Sequence, residues 1–126
     1  MTLRAVTTDG APSALGSYSQ AIDTGSLVFV AGQIGSDPQT RELAAGVEAQ
    51  AERAMRNILA VLDAAGLSIA DVAKTTILLA DISDFDAVNA VYSRFIGDPP
   101  PARATFAVAA LPRGALVEIE AIAVRT

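Results

Sequence analysis

The segment Val117-Glu118-Ile119-Glu120-Ala121-Ile122-Ala123-Val124 constrains the fold more than any other stretch, because its alternation fits a strand whose two faces meet different surroundings. Val117, Ile119, Ala121 and Ala123 form one apolar face. The opposite face starts with two carboxylates and ends on Ile122 and Val124, so water reaches only part of it. A second strand is expected over Pro101-Ala102-Arg103-Ala104-Thr105-Phe106, with Arg103 and Thr105 on one face and Ala104, Phe106 and Val108 on the other. A half-covered guanidinium near half-covered carboxylates costs desolvation unless it is paired or bound to a ligand. On these residues alone two readings stay open: a structural ion pair at a sheet end, or a site for a charged ligand.

With 126 residues, the chain is expected to form one domain over 1–126. Such a chain buries roughly two thirds of its surface, enough for a core without staples. Hydrophobic residues make up 52% and mean hydropathy is +0.41, above the usual apolar share. That surplus predicts a face buried against another copy. No apolar run approaches the roughly 20 residues of a membrane span, and Met1-Thr2-Leu3-Arg4 leads into no apolar leader segment. A cytoplasmic chain without membrane contact is therefore expected.

Cysteine and histidine are both absent. Their absence excludes disulfides, thiolate or histidine metal sites, cysteine nucleophiles and a Ser-His-Asp triad. Proton transfer is left to carboxylates, tyrosine, lysine or water. Net charge is −5 and the nine basic residues are scattered, which disfavours a nucleic-acid partner, since phosphate binding draws on clustered Lys and Arg.

Along the chain, Leu3–Thr7 suits a short edge strand, and Gly16–Ile22 and Leu27–Gly32 suit two strands joined by a turn at 23–26, with Tyr18 early in the first. Gly32-Gln33-Ile34-Gly35 lacks dinucleotide-fingerprint spacing and marks a place where the backbone turns or something approaches it closely. From Val47 to Ala65, apolar residues recur at helical spacing, Glu52 and Arg56 form an i,i+4 pair, and Gly66 supplies a left-handed stop. Ala73–Ala80 is apolar on both faces, as in an inner strand. Ser83-Asp84-Phe85-Asp86 resembles a capping box opening a helix from Phe85 to Phe95, with Asn89 bordering its buried stripe. Asp98-Pro99-Pro100-Pro101 is a stiff lead-in to Arg103. The order predicts an α+β fold: a mixed sheet of about six strands, two helices on one face, and a second face carrying Arg103 and Glu118 without intrachain cover.

Six blocks then resemble one family: Gly16-x-Tyr18-Ser19-Gln20-Ala21, Val30-x-Gly32-Gln33-Ile34, Lys74-Thr75-Thr76, Asp84-Phe85-x-x-Val88-Asn89-x-x-Tyr92, Pro101-Ala102-Arg103 and Val117-Glu118-Ile119-Glu120-Ala121. They are similar to the RidA/YjgF/YER057c/UK114 family of reactive-intermediate deaminases, over nearly the whole chain. The resemblance implies a chorismate-mutase-like fold, a homotrimer and ligand clefts between neighbouring subunits. It implies hydrolysis of enamine and imine acids such as 2-aminoacrylate and 2-iminopropanoate to 2-keto acids and ammonia, without metal or organic cofactor. By resemblance Arg103 grips the substrate carboxylate, Glu118 stands beside the attacking water, and Tyr18, Asn89 and the Gly32 backbone line the cleft. Thr105 occupies a position where several relatives carry cysteine, and Ser17 replaces the usual proline before Tyr18.

The chemistry is compatible with those roles. A guanidinium fork binds a carboxylate bidentately and stays charged, and one glutamate can act as base and then acid in hydrolysing a C=N bond. A simple hairpin about Arg113 would hold Arg103 and Glu118 roughly 17 Å apart. Either the two strands are not sheet neighbours or the pair meets across a subunit boundary, and the second is favoured. The competing expectation is a non-catalytic trimer that binds small carboxylates as a sensor or regulator. An RNA-cleaving role is disfavoured by the acidic charge balance.

Overall fold

The alternating segments pair into one sheet. In the computed structural model, which describes residues 2–126, the order is β1 Arg4–Val6, β2 Ala21–Asp23, β3 Leu27–Ile34, α1 Val47–Ala64, β4 Val72–Leu79, α2 Phe85–Ser93, β5 Ala102–Ala107 and β6 Val117–Val124. The sheet runs β1-β2-β3-β6-β4-β5 and is antiparallel except for β4 and β5, a parallel pair connected through α2. Both helices cover the same face, as expected for this α+β arrangement, with α1 packed on β3, β6 and α2.

The core lies between that face and α1. Val28 and Val30 of β3, Ile77 and Leu79 of β4, and Val117 and Ile119 of β6 meet Ala51, Ala54, Met55, Ile58, Val61 and Leu62 of α1. Spacing of three and four residues puts the helix side chains on one stripe, and the hydrophobic effect holds them there. Gly66 takes φ 77° just beyond the helix, and Arg56 sits 3.3 Å from Glu52, both as the sequence suggests.

Strand register corrects one expectation. On β6, Glu118 and Glu120 do share a face with Ile122 and Val124, and that face is uncovered. On β5, however, Arg103 lies opposite Thr75 and Thr105 opposite Ile77, and both partners point into the core under the helices. Arg103 and Glu118 therefore occupy opposite faces of the sheet. The open side of β5 carries Ala102, Ala104 and Phe106, the last 48% exposed. Phase within a strand follows from its own residues; phase between strands is set by pairing, here through β4.

Two local expectations also change. Residues 16–20 are irregular rather than extended, because Gly16 adopts φ 118° and Gln20 is buried, so Tyr18 sits in a loop ahead of β2. The expected capping box at Ser83 is not formed. Asp81 instead accepts from the Ser83 backbone NH at 2.9 Å and from its hydroxyl at 2.7 Å, and α2 ends at Ser93. A capping box does form at Ser68 and Asp71, ahead of β4.

Candidate functional site

Glu118 sits on β6 between Ile34 of β3 and Leu78 of β4, on the uncovered face. A bulge in β3 between Val30 and Gln33 turns Gln33 into the core and brings Gly32 against Glu118. A Cβ added at Gly32 would lie 2.9 Å from the Glu118 Cδ and closer still to a carboxylate oxygen, so only glycine leaves that carboxylate its place. The half-buried side chain loses water, and Glu120 adds like charge on the same face. Burial, then this repulsion, raises the Glu118 pKa above its ordinary 4.5. Beside it opens a cavity of about 530 Å³ whose walls include Tyr18, Gly32, Ser36, Arg41, Arg113 and Glu118. Leu15 and Tyr18, 66% and 54% exposed, form an open side of that cavity.

Arg103 is presented quite differently. Its Nη1 donates to Asn89 Oδ1 at 2.6 Å, and its guanidinium carbon lies 5.2 Å from the Tyr92 ring centre and 5.6 Å from that of Phe85. All three partners come from α2, one helical turn apart. The Tyr92 hydroxyl is bonded at 2.7 Å to Thr75 Oγ1 of β4, which fixes the ring from below. Among the described residues no carboxylate pairs with Arg103, so two ring faces and an amide orient the cation without neutralising it. Pro100, Pro101, Asn89, Tyr92 and Arg103 line a second cavity of about 520 Å³.

Of the residues expected at the site, the fold gathers Tyr18, Gly32 and Glu118 in one cavity and Asn89 and Arg103 in another. Within one copy the two groups do not meet. β5 and β6 are not neighbours; β4 lies between them, aligning Arg103 through Thr75 with Ala121 and Phe106 through Leu78 with Glu118. Three residues along the strand and two strand spacings put Arg103 and Glu118 about 10 Å apart in each direction, on different faces. Thr105 shares the face of Arg103, but its Oγ1 is buried without a partner and lines neither cavity.

Several positioning groups have only faint sequence signals. Gln20 accepts from the Thr8 NH at 2.7 Å and donates to the carbonyls of Thr8, Ala11 and Pro12, pinning one wall of the Glu118 cavity. Asn57, fully buried on α1, donates to the Ile34 and Ser36 carbonyls at 3.3 and 3.0 Å. Gln50 bridges the Ala44 carbonyl and the Leu116 NH, beside the start of β6. The signal that could have found them is a pair of amides seven residues apart inside the apolar stripe of α1, since buried amides have backbone work to do. Among the described residues, Asp, Glu, His and Cys do not cluster in threes, so the cavities present no metal-binding donor set.

The fold is thus an α+β sheet with one bare face, an arginine without a carboxylate partner on the helix side and a half-buried glutamate on the bare side. The family described as endoribonuclease L-PSP matches residues 8–125. Protein DfrA of Myxococcus xanthus is 53% identical, over 98% of this chain and 97% of that protein. The 2-iminobutanoate/2-iminopropanoate deaminase of Rattus norvegicus is 46% identical, over 97% and 90%. The crystal structure of E. coli TdcF with bound serine superposes with a TM-score of 0.94 at 43% identity, covering 98% of this chain and 99% of that one. The chain belongs to the RidA/YjgF/YER057c/UK114 family.

Proposed function

We propose that the chain hydrolyses reactive 2-imino and 2-enamino acids, such as 2-iminopropanoate and 2-aminoacrylate, to 2-keto acids and ammonia. The working unit is a homotrimer in which Arg103 of one copy faces Glu118 of the next, and no metal or organic cofactor takes part. The observation that carries the reading is the Arg103 guanidinium, oriented by Asn89, Tyr92 and Phe85 yet lacking a carboxylate partner. An imino acid brings one. The bare sheet face, with Phe29 43% and Phe106 48% exposed, supports the assembly, because a monomer seldom leaves such residues on one uncovered sheet side.

Arg103 binds the substrate carboxylate through its fork and sets the C=N carbon over Glu118. An enamine first gains a proton at C3 and loses one from nitrogen, giving the imine. Water adds to C2 as Glu118 takes its proton, and the same carboxyl returns that proton to nitrogen. The hydroxyl proton then passes to nitrogen as the C–N bond breaks and the C=O bond forms, releasing keto acid and ammonia. The raised pKa of Glu118 suits this double duty, since it makes the carboxylate a stronger base and keeps the protonated form populated closer to neutrality.

The test supplies 2-iminopropanoate from alanine and an amino-acid oxidase, with semicarbazide trapping residual imine. Wild type should cut semicarbazone formation well below the buffer control. Unaccelerated hydrolysis, or an Arg103→Ala variant as active as wild type, overturns the reading. Binding of keto acids in calorimetry without turnover would favour instead a carboxylate-binding sensor.

A further inference from the structure

Only two non-glycine residues among those described adopt left-handed backbone, Arg41 at φ 67° and Arg113 at φ 58°. Both are arginines and both line the Glu118 cavity. Arg41 closes a tight turn in which Asp37 Oδ1 accepts from the Gln39 and Thr40 NH groups, and the Arg41 NH donates to the Asp37 carbonyl at 2.9 Å. Glycine would hold that position without strain. The arginine side chain, moreover, leaves its Nε buried with no partner; its Nη1 reaches only Ser13 Oγ, at 3.1 Å. On the same wall Ser36, 3% exposed, has a buried Oγ that is also unpartnered. Strained backbone and two unsatisfied polar atoms at one cavity wall mark a place where a ligand completes the bonding.

We infer that the Ser36–Arg41 wall is a subsite for a second anionic group, so that the preferred 2-imino acids carry a carboxylate at the end of the side chain. The inference rests on the deaminase reading for its reaction and on Arg103 for the first carboxylate. The donor set fits the second: Arg41 Nε and the Ser36 hydroxyl both donate, and Arg113 adds positive charge at the same cavity. The ionisable lining is then two guanidiniums and Tyr18 against one carboxylate, Glu118, which favours a further negative charge. Neutral side chains would leave both buried atoms unmet, the source of strong discrimination between substrates of similar size.

The test uses the full chain and two probes, 2-oxoglutarate and 2-oxobutyrate, titrated by calorimetry, with hydrolysis of 2-iminobutanoate followed in parallel. Wild type should bind 2-oxoglutarate at least about tenfold more tightly, the worth of one charge-assisted hydrogen bond. Arg41→Gly, which suits the turn, should erase the preference for 2-oxoglutarate over 2-oxobutyrate, and Ser36→Ala should erase part of it. Equal binding of the two probes by wild type, as expected if a water merely bridges the two atoms, overturns the inference. So does a preference that survives Arg41→Gly. Failure of the deaminase reading has a different signature: the preference present, but no acceleration of 2-iminobutanoate hydrolysis.

Discussion

Arg103 and Glu118 carry opposite charges and are also treated oppositely by the fold. The arginine stands at the edge strand on the helix side, held by soft contacts that leave its charge intact. The glutamate stands on an inner strand on the bare side, half-buried, with Glu120 on the same face and Gly32 against it. In the proposed reaction the first corner attracts the substrate carboxylate and the second exchanges protons. A charge meant for binding keeps its solvent and its freedom from counter-ions, whereas a carboxyl meant for proton transfer profits from losing part of its solvent beside a like charge.

The largest expected effect comes from separating the two corners chemically. Glu118→Gln should lower kcat by about 10²–10⁴, the usual worth of a positioned acid–base. It should also raise thermal stability. The folded pKa of Glu118 lies above its ordinary value, so its ionised form costs stability at neutral pH, and that cost fades once pH drops below about 4.5. Melting curves of the variant and wild type at pH 7 and pH 4 should therefore differ at the first and converge at the second.

Arg103→Ala should cost about 100-fold in kcat/KM by loss of the carboxylate fork, with the fold intact. Refolding this variant together with Glu118→Gln should restore about a quarter of wild-type activity, since in a ring of mixed copies that share of interfaces pairs an intact arginine with an intact glutamate. If the mixture stays as inactive as its parts, the two corners do not meet between copies.

A smaller effect is expected of Gly32→Ala, whose methyl displaces the Glu118 carboxylate: about a tenfold loss of kcat with little change in KM. Tyr92→Phe should sharpen the contrast from the other side. It removes the buried bond to Thr75 at a cost of about 1–2 kcal/mol in denaturant unfolding, yet keeps the ring beneath Arg103 and most of the activity. The mildest change is Glu120→Gln. Removing the neighbouring like charge should move the acid limb of the pH–rate profile to lower pH, and an unmoved limb would show that burial alone sets the Glu118 pKa.

Sequence alone carries α1, β4 and β6 well, because each has a period that one neighbouring surface enforces: Val47 to Leu62 against the sheet, and Val117 to Ala123 against α1. It also marks Gly32 as a point of close approach, which Glu118 turns out to make. The placement of Arg103 is not legible in this way. Its face depends on parallel pairing with Thr75, a residue 28 positions earlier, and no local pattern fixes the phase of one strand against another. The left-handed arginines escape for a similar reason, since positive φ is read from glycine and neither turn has it at the left-handed positions 41 and 113. Where local preference and observed backbone disagree, as at Arg41, the disagreement itself points to chemistry.

The uncovered sheet side has a further consequence during synthesis. In the proposed homotrimer, a copy just released from the ribosome displays Phe29, Phe106 and the half-buried Ile122 on the uncovered sheet surface until neighbours cap it. The interval is governed by encounter, so it lengthens as expression falls and shortens as copies accumulate. Yield in a cell should then depend more on how quickly neighbours arrive than on how quickly each chain folds.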